Sequence, residues 1–301
     1  MLQRRSFIKN TILATGALSL PFIGNAQNAA TTLPAAANFK KAIWWGNIGI
    51  KGSILDKCKA VKEAGFQGVE PFSHLDRKEV IDALKSTGLG VTAVSCLAHQ
   101  KTPISHPDAA IRQQGIEEFI IGLEDAKAYG TDVTLLIPGS VSNTVSYDEV
   151  WDRSTEGIKK LIPVAEKLKV MICVENVWNN FLLSPLEACR YVDQFNSPYV
   201  KLYFDIGNIV AYGWPEQWIK ILGDRISRVH IKEFSRQIAD RQGRWSGFNV
   251  KLTEGDVNWP KVIELLRNGY KGEWLTVEME KNETMEELKD LSQRLDKVIS
   301  M

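Results

Sequence analysis

Hydrophobic residues along the 301-residue chain gather into short, continuous, β-branched runs separated by longer stretches with helical spacing. The runs lie at 42–45, 68–71, 91–97, 133–137, 170–175, 200–205, 226–231 and 274–278. Apolar positions recur with helical spacing at 54–64, 80–86, 111–129, 154–168, 185–195, 215–222, 260–268 and 285–299. A strand that is apolar throughout is buried on both faces, which is the condition of a parallel sheet covered by helices. Glycines follow the predicted helices where a stop is needed, as in Ala64-Gly65 and Tyr129-Gly130. Eight strand–helix units in one series predict a single (β/α)₈ TIM barrel over residues 39–301 rather than a doubly wound sheet.

The first 38 residues do not continue this pattern. Residues 3–9 read Gln-Arg-Arg-Ser-Phe-Ile-Lys, and a weakly apolar stretch and Gly24-Asn25-Ala26 follow. This order of basic, apolar and small residues is that of a twin-arginine (Tat) export signal over 1–26, with a linker at 27–38. It predicts a periplasmic protein that meets the Tat machinery as a folded chain. The apolar stretch is shorter than the ~20 residues needed to cross a membrane, so no stable span is expected. Lys+Arg (37) and Asp+Glu (36) nearly cancel, which gives no electrostatic basis for nucleic-acid binding. The four cysteines have no Cys-x-x-Cys spacing, and Cys96 and Cys173 fall inside apolar runs. Buried thiols are therefore expected rather than disulfides.

In a parallel barrel the functional groups stand at the C-terminal strand ends. The fifth strand ends in Glu175-Asn176, the sixth in Asp205-Ile206-Gly207-Asn208, the seventh in His230-Ile231-Lys232-Glu233 and the eighth in Glu278-Met279-Glu280. These ends predict one rim carrying Glu175, Asp205, His230 and Glu278. Three carboxylates and an imidazole form a mostly hard donor set suited to one divalent cation. Mn²⁺ is the expected ion, with Mg²⁺, Co²⁺ and Zn²⁺ as alternatives. Lys232 shares the strand face of His230 and is a candidate contact for a substrate oxygen, or a salt-bridged rim lysine. Glu70 ends the second strand and is a candidate to orient a metal ligand or to bind a substrate hydroxyl; His99 follows the third and is a candidate substrate contact or a surface-loop residue. Trp44-Trp45 ends the first strand and Trp178 follows Glu175, so Trp45 and Trp178 are candidates to stack on a substrate's apolar face. His74 and His106 read as loop residues, and Arg236, Arg241 and Arg244 lie in a long predicted loop, 233–256.

Leu202-Tyr203-Phe204-Asp205-Ile206-Gly207-Asn208, Val229-His230-Ile231-Lys232-Glu233, Glu254-Gly255-Asp256-Val257-Asn258-Trp259 and Gly269-Tyr270-Lys271-Gly272 occur in that order. With Val277-Glu278 this set resembles the xylose isomerase-like barrel superfamily of sugar isomerases and epimerases, above all its L-ribulose 5-phosphate and tagatose 3-epimerase branches. The resemblance implies a carbohydrate substrate whose carbonyl and neighbouring hydroxyl meet the metal. It implies a cis-enediolate, with Glu175 and Glu278 serving as ligands and as acid and base. It places Asn208, as in the pentulose-phosphate branch, where free-ketose epimerases carry a His, and so makes Asn208 a candidate sugar contact. Phe181 stands where they carry a substrate-contacting Glu.

Two further functions fit parts of the pattern. A sugar-binding protein would share the compartment and the aromatic residues but would not need the acidic rim. An exported lyase or hydrolase acting on 3-keto-glycosides would use the same metal chemistry to expel a leaving group. A multi-metal nuclease needs more than the four histidines present. The sequence is compatible with a homo-oligomer.

Overall fold

A computed structural model describes residues 39–301. The predicted signal and linker lie outside the described residues. In chain order the main elements are β1 (Lys40–Trp44), α1 (Ile54–Glu63), β2 (Gly68–Glu70), α2 (Arg77–Thr87), β3 (Gly90–Val91) and β4 (Val94–Ser95). Then come α3 (Ala109–Tyr129), β5 (Val133–Leu136), α4 (Tyr147–Leu168), β6 (Met171–Glu175), α5 (Pro185–Asp193) and β7 (Val200–Asp205). The chain continues through α6 (Gly207–Val210), α7 (Pro215–Leu222), β8 (Ile226–Ile231), α8 (Arg236–Gln242), α9 (Trp259–Gly269), β9 (Trp274–Val277) and α10 (Met285–Ile299).

All strand pairs are parallel, in the order β3-β2-β1-β9-β8-β7-β6-β5-β4, so the sheet curls into a nearly closed barrel. The expected third strand, 91–97, is the one that differs. It breaks at Thr92-Ala93 into β3, which pairs with β2, and β4, which pairs with β5. At the break the Thr92 carbonyl accepts from Thr131 Oγ1 and Arg228 Nε, both at 2.8 Å, and is drawn out of the ladder. Beyond the break the chain still meets the end of β2: the Ser95 amide donates to the Pro71 carbonyl and the Ser73 amide to the Ser95 carbonyl, both at 3.0 Å.

Local chemistry sets the helix ends. Ser53 with Asp56, Ser146 with Glu149 and Thr284 with Glu287 form reciprocal capping boxes at the starts of α1, α4 and α10. Gly130 closes α3 at φ 84°, a left-handed conformation that a side chain disfavours. The apolar helix faces cover the outside of the barrel. A smaller cluster of Ala93, Val133, Leu135, Cys173 and Tyr203 packs separately from that main core. All four cysteines are free, with Cys58, Cys96 and Cys173 buried.

The predicted loop 233–256 is structured, with α8 followed by a tight turn at Arg244–Phe248. It is pinned by Glu233, a strand-end acid whose place in the sequence assigns it no role. The fully buried Glu233 carboxylate accepts from the Thr253, Val257 and Phe234 amides and, at 2.7 Å, from the Trp259 indole. Gly255 is needed here because a Cβ would lie 2.6 Å from the Glu233 side chain. The Glu254-to-Trp259 motif is thus the docking segment for Glu233.

Candidate active site and metal centre

β6 and β7 end on Glu175 and Asp205, His230 is the next-to-last residue of β8, and Glu278 directly follows β9. Register sets Asp205 directly beside His230, while the Glu278 amide donates to the Ile231 carbonyl at 3.0 Å. The four side chains meet: one ligand atom from each lies within 4.8 Å of every other. His230 Nδ1 is 2.8 Å from Glu175 Oε1 and 3.0 Å from Glu278 Oε2. Glu175, Asp205 and His230 are buried, and Glu278, with its side chain 19% exposed, opens the cluster to solvent.

Glu70 lies on the far side of the imidazole, with Oε2 3.2 Å from His230 Nε2. Its carboxylate also accepts from Ser95 Oγ at 2.5 Å and from the Tyr203 hydroxyl. An acid bonded to the outer ring nitrogen turns the other nitrogen towards a metal. Ser95 Oγ in turn accepts from Trp44 Nε1 at 3.0 Å, which ties β1, β2, β4, β7 and β8 into one polar network. Tyr203 lies two residues before Asp205, on the same strand face, a period-two signal present in the sequence. Asn176 is a further positioning group: its side chain donates to the Asp205 carbonyl at 2.8 Å and accepts from the Asp205 amide at 2.9 Å.

Lys232 Nζ stands 3.0 Å from both Asp205 Oδ2 and Glu278 Oε2. Burial opposes its charge, but these acids and Glu175 hold its pKa above the ordinary lysine value. Burial pushes the Glu175 carboxyl up to about 7, although the His230 hydrogen bond opposes the rise. Burial acts in the same direction on Glu278, yet Lys232 and His230 outweigh it and hold that carboxyl below its usual range. Burial also raises Asp205, with Lys232 opposing. Burial works against a charged His230, but Glu70 and Glu278 hold its pKa well above the ordinary histidine value.

Three carboxylates around one ammonium and one imidazole, with Glu70 behind the ring, leave excess negative charge in a largely buried pocket, which a divalent cation would offset. Asp205 Oδ2 is buried and accepts no hydrogen bond; its one polar neighbour is the Lys232 ammonium, at 3.0 Å. A buried carboxylate oxygen that accepts no hydrogen bond fits a metal ligand. The donor set and this atom therefore suit a cation.

The other candidates fall in different places. Trp178 lies at the rim, half-buried, with its indole donating to the Asn208 carbonyl at 2.8 Å. Asn208 is buried and acts on the protein itself: its amide donates to Asp205 Oδ1 at 2.8 Å and its side chain to the Asn176 carbonyl at 3.0 Å. The expected substrate role of Asn208 gives way to positioning of Asp205. Trp45 is corrected as well. β1 ends at Trp44, one residue earlier than expected, and Trp45 is buried in the outer core with Lys57 Nζ 5.4 Å from its ring centroid. Trp44 is the residue that reaches the Ser95–Glu70 network. His99 is half-buried and joined to the Cys96 carbonyl of its own turn at 3.3 Å, outside the metal cluster. His74 pairs with Glu118 at 2.6 Å, and His106 accepts from the Asp108 amide. Phe181 packs in the core against Tyr147, Trp151 and Tyr191.

The sequence profile of the xylose isomerase-like TIM barrel family matches residues 58–298, and the chain belongs to that family. Among curated proteins it is similar to the L-ribulose-5-phosphate 3-epimerase UlaE of Escherichia coli O1:K1, 28% identical over 236 residues, covering 73% of this chain and 80% of that protein. Among solved structures it is similar to the 3-keto-D-glucoside 4-epimerase YcjR of E. coli, with TM-score 0.74 and 17% identity, covering 87% of this chain and all of the other. It is likewise similar to the D-psicose 3-epimerase of Clostridium cellulolyticum H10 solved with D-tagatose, with TM-score 0.70 and 18% identity over 86% and 98% of the two chains. At these identities the two structural likenesses concern the fold.

Proposed function

We propose that the protein is a divalent-metal-dependent sugar epimerase or isomerase that works by enolisation next to a carbonyl. The observation that carries this reading is the convergence of Glu175, Asp205, His230 and Glu278 within 4.8 Å, with two of the acids on the same imidazole nitrogen. The similarity to sugar epimerases supports the substrate class. Mn²⁺ is the ion we assign, as a hard cation matched to three carboxylates and one imidazole. When bound, the cation polarises the sugar carbonyl and makes the neighbouring C–H more acidic.

The chain's own residues do the rest. Glu175 and Glu278 flank His230 Nδ1, and we assign them as the acid–base pair. One removes the proton next to the carbonyl, and the other returns a proton to the opposite face, which inverts that carbon. Return to a different carbon would give aldose–ketose isomerisation from the same site. Lys232, 3.0 Å from Asp205 and Glu278, offers a fixed positive charge to a substrate oxygen that gains negative charge. Glu70 holds the His230 ring, and Asn176 and Asn208 hold Asp205.

A second reading, of a 3-keto-glycoside as substrate, draws on two observations. Phe181 is buried in the core instead of meeting a sugar, and the fold is similar to that of a 3-keto-D-glucoside epimerase. A keto-glycoside enolised at this site can return the proton, or can lose its glycosidic oxygen by β-elimination as a lyase does. The basic, apolar and small-residue order of residues 3–26 supports export to the periplasm, where glycosides are accessible. The test is product analysis by NMR after incubating Mn²⁺-loaded protein with free ketoses and with 3-keto-glycosides. An epimer or isomer supports the first reading, a released aglycone supports the lyase, and inertness towards the whole panel contradicts both.

A further inference from the structure

Beside the metal cluster the protein carries an aromatic shelf that the enolisation chemistry does not use. Phe248 lies under Lys232, whose Nζ is 5.6 Å from its ring centroid and 3.0 Å from Asp205 and Glu278. Trp178 packs 4.8 Å from Phe248 and 4.7 Å from Trp245, centroid to centroid. Trp245 is 69% exposed. The Arg244 guanidinium sits 4.5 Å from the Trp178 ring and 5.9 Å from that of Tyr212, itself 40% exposed. Among the described residues no carboxylate pairs with Arg244.

A fraying loop would not hold an indole in water in this way. The Ser235 amide donates to the Gly247 carbonyl at 2.7 Å, and a Cβ at Gly247 would strike the Phe234 ring at 2.4 Å. Arg236 donates from its side chain to the Val210 and Gly213 carbonyls, each at 2.8 Å, and from its amide to Asp256 at 2.6 Å. The buried Glu233 carboxylate secures the returning segment at Thr253 and Trp259. The segment therefore presents a pre-ordered aromatic face, with the exposed Trp245 indole beside Trp178 and, at its edge, a guanidinium that stacks on Trp178 and is paired with no carboxylate among the described residues. Such a combination suits a ring with one apolar face and a rim of hydroxyls: the C–H face stacks on the indole, and the guanidinium donates to the hydroxyls.

We infer that Trp245, Trp178 and Arg244 form a subsite for a second sugar ring, so that the substrate is a disaccharide-type glycoside whose oxidised or carbonyl-bearing ring occupies the metal site. This inference rests on the enolisation reading for the first ring, but its binding test does not. Isothermal titration of the metal-loaded full chain compares cellobiose, maltose and lactose with D-glucose and D-fructose. The expected result is that at least one disaccharide binds about tenfold more tightly than the monosaccharides, the scale of one stacked ring. In Trp245→Ala and in Arg244→Ala the ratio of disaccharide to monosaccharide affinity falls towards one. Ile121→Ala, an exposed apolar residue on α3, leaves the ratio unchanged. Because Trp245 is exposed, its loss spares the core, and an unchanged circular dichroism spectrum confirms an intact fold.

Three results overturn the inference: no disaccharide preference, a preference that survives both substitutions, or sedimentation showing a dimer that Trp245→Ala dissociates, which would make the shelf a contact between copies. Disaccharide binding without solvent-proton exchange into any carbonyl sugar would remove the enolisation reading and leave the subsite standing.

Discussion

His230 stands between two acids, with Nε2 3.2 Å from Glu70 Oε2 and Nδ1 2.8 Å from Glu175 Oε1. The first contact fixes the ring, and the second aims its other nitrogen into the cluster. Glu70→Gln keeps the side-chain shape but replaces a charged acceptor with a neutral amide. Metal affinity is expected to fall about 10- to 100-fold, the usual effect of losing the partner of a ligating histidine. Calorimetric titration of Mn²⁺ measures it, and unchanged affinity would show that Glu70 does not position the ligand.

Lys232→Met tests the ammonium between Asp205 and Glu278. Removing a buried positive charge beside the carboxylates should raise cation affinity. Turnover should nevertheless fall about 100-fold, because the charge facing a developing oxyanion is lost. Opposite movements of metal Kd and kcat are the signature. A parallel fall in both would instead mark Lys232 as a structural pair.

Metal removal should weaken the fold. A ligand held only by the native state at about 100 times its Kd contributes ~2.7 kcal/mol. For a chain of this size that corresponds to a Tm lower by about 4–5 °C after chelation. Differential scanning calorimetry with Mn²⁺ and with EDTA gives the difference, and identical curves would argue against a metal at this cluster.

Glu233→Ala would leave the Trp259 indole and the Thr253 and Val257 amides without their acceptor. The expected loss is about 3 kcal/mol, from several buried donors left unpaired. Limited proteolysis should then cut within 244–256 while the barrel resists. Wild-type resistance in the variant would contradict the pinning role.

The barrel was legible because its strands are apolar on both faces, and the four cluster residues because each stands at the polar end of such a run. The boundaries of the strands at 200–205 and 226–231 and the helices at 215–222 and 285–299 match the expected ones. Periodicity could not show the break at Thr92-Ala93, since it depends on Arg228 and Thr131, which are remote in sequence. The apolar run 42–45 continues one position past the end of the first strand, and one position reverses the face, so Trp45 turns into the outer core and Trp44 to the polar network. Asn208 looked like a sugar contact, whereas its bonds go to Asp205 and Asn176, a role visible only once β6 and β7 are side by side. Glu233 left no periodic signal, because a buried acid is explained only by its partners. The polar run 233–256 hid α8 for the same reason: backbone and side-chain anchors hold it rather than an apolar stripe.

The central claim is that Glu175 and Glu278 exchange protons with a carbon next to a sugar carbonyl. The most direct measurement is ¹H NMR of deuterium entering that carbon when Mn²⁺-loaded protein is incubated in D₂O with ketoses and 3-keto-glycosides. The account predicts exchange by the wild-type protein and a loss of about 100-fold or more in Glu278→Gln, which keeps its fold but cannot carry the proton. Exchange at the wild-type rate in Glu278→Gln, or none by the loaded wild-type protein with any sugar of the panel, would contradict it.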